Sequence, residues 1–100
     1  MILYNITVNV DLKVSEKWLE WMKTEHIPEI MRTELFLSFK IFKMLNEDPQ
    51  GITYACQYFA KSMEDVLLFQ EKHGANLQSK MYQKFGNSTA DFRSMLEEVV

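Results

Sequence analysis

Residues 35–45, Leu35-Phe36-Leu37-Ser38-Phe39-Lys40-Ile41-Phe42-Lys43-Met44-Leu45, read as a strand with bulk on both sides. Leu35, Leu37, Phe39 and Ile41 fall on one face and Phe36, Phe42 and Met44 on the other, interrupted by Ser38 and Lys40. Such a strand is expected to be covered twice, since a half-solvated strand would alternate with polar residues. Asp48-Pro49-Gln50-Gly51 fits a β-turn with Pro second and Gly fourth. The run 52–61 that follows carries Ile52, Tyr54, Cys56 and Tyr58 on one side and Ala55 and Phe59 on the other. The two runs are expected to form a hairpin with apolar bulk on both faces.

On either side of this hairpin the apolar period changes to that of a helix. Upstream, Ser15 is a candidate N-cap, with Val14 and Leu19 at the two positions of a hydrophobic staple. Trp18, Met22 and His26 then recur at i, i+4 and i+8, and Leu19 and Ile30 widen the stripe. Pro28 lacks the N–H that Thr24 would accept from, so the helix is expected to bend or break near His26 or Ile27, with a short turn through Thr33. Downstream, Ser62-Met63-Glu64-Asp65 caps a second helix whose Val66, Phe69, His73, Leu77, Met81 and Phe85 form a stripe. Gly74 is expected to divide it into two pieces, and Gly86 to end it.

The two ends complete the order. Residues 2–10 alternate, with Ile2, Tyr4, Ile6, Val8 and Val10 opposite Asn5, Thr7 and Asn9, as in a half-buried strand. Residues 90–100 fit a helix about as well as a strand, and the order of the preceding elements favours a strand. Strand, helix, strand, strand, helix, strand is the split βαβ arrangement, a ferredoxin-like α+β fold with a four-stranded antiparallel sheet and both helices on one face. The helices leave the other face bare. A second copy packed sheet on sheet about a two-fold axis is the economical cover, so a homodimer through the open sheet face is expected.

Composition narrows the function. One hundred residues, 47% of them apolar and 25% charged, make one domain over 1–100 with room for a core. A net charge of -3 with singly spread Lys and Arg argues against a nucleic-acid partner. The start of the chain lacks the basic segment and cleavage site of a signal peptide, and no apolar run is long enough to span a membrane, so a cytoplasmic location is expected. Cys56 is the only cysteine, and it and two histidines offer no recognisable metal spacing. Asn87-Ser88-Thr89 matches a glycosylation sequon but reads as the polar loop after Gly86.

The whole pattern resembles the dimeric α/β-barrel superfamily of small ferredoxin-like chains. Within it, Trp18, Trp21, Met22, His26, Ile27 and Pro28, with Gln57-Tyr58 and Phe92-Arg93-Ser94, are similar to a family of short bacterial proteins known as a domain of unknown function. The resemblance implies relatives that include cofactor-independent monooxygenases, haem-degrading monooxygenases and ligand-binding modules. For the haem-degrading type it implies an Asn on the first strand, a Trp on the third and a His on the second helix. Asn5 or Asn9 and His73 sit at matching elements, whereas the third strand has Tyr54, Cys56 and Tyr58 in place of the Trp.

Three functions therefore stand side by side. The first is a pocket for a small, mostly apolar ligand, lined by Trp18, Trp21, Met22, His26, Tyr54 and Tyr58. The second is an enzyme without a cofactor, with His26 as general base in an apolar site; the third is an assembly module without ligand. For the aromatic residues the plain alternative is core or dimer interface, and for His26 a core imidazole satisfied by one hydrogen bond. Arg93 interrupts an apolar segment and is expected either to pair with a carboxylate or to face the pocket; the plain alternative is a surface arginine on an edge strand.

Overall fold

The computed structural model describes residues 1–45 and 48–100. Four strands, β1 (Ile2–Asp11), β2 (Ser38–Lys43), β3 (Gly51–Ala60) and β4 (Thr89–Glu97), form one antiparallel sheet in the order β2-β3-β1-β4. Two helical rods cover one face. The first joins α1 (Ser15–Trp21) to α2 (Ile27–Met31) through a π-helical turn at Met22–His26. The second joins α3 (Met63–Phe69) to α4 (Ala75–Phe85) through another at Gln70–Gly74. This is the ferredoxin-like βαββαβ fold.

The alternation in β1 has the expected effect: Ile2, Tyr4, Val8 and Val10 are buried beneath the rods. In β3, Tyr54, Cys56, Tyr58 and Ala60 bury the same side. Asp48 tightens the approach to β3 as an Asx turn, its carboxylate accepting from the Gln50 amide at 2.9 Å.

Three local expectations are corrected. Ser15 is the first residue of α1 and not its cap; Val14 holds the cap position, and the Ser15 hydroxyl donates to the Leu12 carbonyl. Pro28 does not break the rod. Ile27 donates to the carbonyl of Met22, five residues back, and α2 continues with Pro28 in its first turn, where a missing N–H matters least. Nor is Phe36 part of β2. Glu34 adopts φ 62°, which turns the chain inward, and Phe36 stacks on Tyr4 at 6.0 Å and meets Phe69 at 5.0 Å in the core. By contrast, Ser62 caps α3 as expected, accepting from the Asp65 amide at 3.3 Å, and Gly86 ends α4 at φ 56°.

Register places Phe42, Ala55, Thr7 and Phe92 in one row across the bare face, Lys40, Gln57, Asn5 and Ser94 in the next, and Ser38, Phe59, Leu3 and Leu96 beyond. The bare face thus carries apolar rows split by a polar one, in which Lys40 is one of the two interruptions expected in this strand. Phe42 and Phe92 stand open to solvent. The edge strand β2 is only thinly covered within one chain, because the rods pack over β1 and β3; on the rod side Ile41 is partly buried against the core, but Phe39 is 44% exposed. No helix among the described residues is long and apolar enough to cross a membrane.

Candidate functional site

Both π-helical turns open onto one cavity of about 260 Å³ between the rods and the sheet. Tyr4, Ile6 and Val8 of β1 and Cys56 and Tyr58 of β3 form its floor; Met22, His26 and Ile30 come from the first rod, and Phe69, Gln70, Gly74, Leu77 and Met81 from the second. Asp91 and Arg93 of β4, with Gln78 of α4, also line it. A π turn accommodates one residue more than an α turn, which widens the helix locally and re-aims the side chains beyond it. Trp21 and His26 illustrate the effect. Five residues apart, they would diverge on an α-helix that turns about 100° per residue, yet their rings stack at 4.5 Å and 28°.

His26 is 6% exposed, and its Nδ1 has no hydrogen-bond partner among the described residues. Burial lowers its pKa from the usual 6.5 to about 4, Glu29 opposing the shift and Lys80 and Arg93 adding to it. The imidazole is therefore neutral at pH 7. The Tyr58 hydroxyl, in a side chain 1% exposed, likewise has no partner, and burial, with Cys56 and Tyr4 adjacent, raises its pKa so that it stays protonated. Burial pushes the Cys56 thiol up to about 12, which leaves it inert as a nucleophile. The deep wall of the cavity is thus apolar and uncharged, with two unused polar atoms.

Charge is confined to the rim. Arg93 Nη1 lies 3.5 Å from Asp91 Oδ1, both half-buried, so the arginine pairs with a carboxylate and lines the cavity as well. Lys80 donates to Glu29 at 2.6 Å and ties the two rods together across an outer groove, on which Trp21 and His26 also border. His26 is a wall between that groove and the cavity.

Of the residues singled out from sequence, the cavity brings together Met22, His26, Tyr58 and Arg93. Trp21 stands behind His26, its ring edge-on to Phe85 at 5.4 Å. Trp18 and Tyr54 stack on each other at 5.0 Å and do not line the cavity. Trp18 drops out because the extra residue in the first π turn rotates His26 away from the Trp18 line, and Tyr54 goes with it as its stacking partner. Asp91, Gln70, Gln78 and Tyr4 were missed; Asp91 alone had a signal, two residues before Arg93 and so on the same face of a strand. Asn5 and Asn9 lie on the bare face, bonded to Thr7 and Thr53, opposite to the rod that carries His73, so the haem-type set is not assembled within one chain. Among the described residues no three His, Cys, Asp or Glu gather as metal ligands.

Solved structures with the same fold include an EthD-family (ethyl tert-butyl ether) protein from Bacillus halodurans C-125, with a TM-score of 0.72 at 13% identity, covering 99% of this chain and 100% of that one. A dimeric ferredoxin-like protein from an uncultured marine organism gives 0.64 at 11% identity, over 99% and 95% of the two chains. Comparison with curated proteins gives no match. A family model, described as a domain of unknown function (DUF4286), matches residues 1–99, and the chain belongs to that family.

Proposed function

We propose that residues 1–100 act as one cytoplasmic domain, a homodimeric module that binds a small, mostly apolar ligand in the cavity beneath the two π turns. The observation that carries this reading is a cavity whose apolar side chains are joined by two residues, His26 and Tyr58, that each bury an unpartnered polar atom, with charge held at Asp91 and Arg93. A buried polar group without a partner costs about 1–3 kcal/mol, and a ligand that supplies the partner recovers it. The volume, about 260 Å³, falls just below the range for small-molecule sites, roughly 300–1,000 Å³, which favours a compact ligand with one ring or a branched chain. The likeness to a dimeric ferredoxin-like protein supports the homodimer, as do Phe42 and Phe92 on the bare face.

His26→Leu tests the binding role. Leucine fills similar space without the polar atom, so the variant is expected to keep or gain stability in urea denaturation and to lose the thermal shift that compact aromatic compounds give the wild type. A variant that still shifts fully with the same compounds rejects His26 as a ligand contact. A second reading, a cofactor-free oxygenase with His26 as base, draws on the same dry, neutral imidazole. Binding is preferred because a pKa of about 4 makes the imidazole a weak base at neutral pH.

A further inference from the structure

Resting on the ligand-binding reading above, we infer that the ligand is a small carboxylic acid whose carboxylate meets Arg93 at the rim and whose buried end carries a hydroxyl or keto group toward His26 and Tyr58. Three observations meet here. The guanidinium has five N–H donors, and its one side-chain partner among the described residues is Asp91, through a single contact at 3.5 Å, the long limit of a hydrogen bond. That loose contact holds the side chain at the rim and leaves donors for a second carboxylate, whose two oxygens match the guanidinium fork. Inside, His26 and Tyr58 are both at least nine-tenths buried and uncharged, so the deep end of the ligand is neutral but polar. Between rim and depth the walls are Val8, Met22, Ile30, Phe69, Leu77 and Met81, which suit a ring or branched chain.

The reverse polarity, an amine held by Asp91, is disfavoured because Arg93 shares that rim and is already in contact with Asp91. Asp91 opposes the bound carboxylate while it positions the guanidinium. Removing its charge with Asp91→Asn is therefore expected to tighten binding of an acid and leave a neutral analogue unaffected.

The test is calorimetric titration of the intact protein with 4-hydroxybenzoate, its methyl ester, p-cresol and 4-hydroxybenzylamine, repeated on Arg93→Gln, Arg93→Lys and Asp91→Asn after melting curves confirm that each variant folds. The acid is expected to bind the wild type at least about tenfold more tightly than the ester. Arg93→Gln should abolish that preference while the ester binds as before, and Arg93→Lys should restore part of it. Equal binding of acid, ester and cresol overturns the acid assignment and leaves the pocket reading intact, and preference for the amine does the same. Failure of all four compounds to bind overturns both.

Discussion

At the scale of single residues, His26 sets a pH dependence whose sign is fixed by its burial. Its folded pKa of about 4 lies below the unfolded value of 6.5, so between these limits the unfolded chain holds a proton that the native chain does not. Stability therefore rises with pH through this window, and acidification from pH 7 to below 4 removes about 3 kcal/mol through this residue. Urea denaturation of the wild type and His26→Leu at pH 7 and pH 4.5 checks it, because the variant should lose less on acidification. Equal losses would mean that the imidazole is not dry. The sequence carried part of this: a histidine on an apolar stripe beside two tryptophans was legible as a buried group. Its stacking partner was not, because the α-helical period points Trp18 at it, whereas the π turn brings Trp21.

At the scale of elements, the three glycines separate packing from backbone effects. Gly74 lies in the second π turn, where an added Cβ would meet its nearest neighbour at 3.9 Å, an ordinary contact. Gly74→Ala is expected to stabilise by up to about 1 kcal/mol through helix propensity. Gly86 has open space around it, but its φ of 56° and ψ of -130° suit glycine alone, so Gly86→Ala should cost about 1–3 kcal/mol with no clash at all. Gly51 has neither freedom, since a Cβ there would stand 2.9 Å from the Val10 carbonyl. Melting temperatures of the first two variants, moving in opposite directions, check the pair. Strand and helix order were legible because β1 alternates strictly and the helical stripes repeat at three and four. Gly74 announced an interruption in the second rod, and Pro28 one in the first. In both places the chain inserts a residue and continues, a choice set by packing against the sheet, which a local pattern does not encode.

At the scale of the whole molecule, the bare face and the cavity belong to opposite sides of one sheet. Phe42 sits on the bare face, half-exposed, in the row that ends at Phe92. Phe42→Glu is expected to convert a dimer to a monomer in sedimentation velocity, since an unpaired charge buried between sheets costs several kcal/mol. A wild type that sediments as a monomer at micromolar concentration would reject the dimer. The bulk on both sides of residues 35–45 pointed to this face, yet one of its phenylalanines, Phe36, belongs to the core, because the turn at Glu34 redirects it.

The central claim is that the cavity beneath the two π turns is a ligand site, and methyl-resolved NMR tests it most directly. Met22 and Met81 line the cavity, whereas Met44, Met63 and Met95 lie exposed elsewhere. With ε-methyl labelled protein titrated with p-cresol and 4-hydroxybenzoate, the Met22 and Met81 signals are expected to shift together and saturate while those three stay in place. Signals of Met22 and Met81 that do not move with either compound, or shifts confined to the exposed methionines, would contradict it.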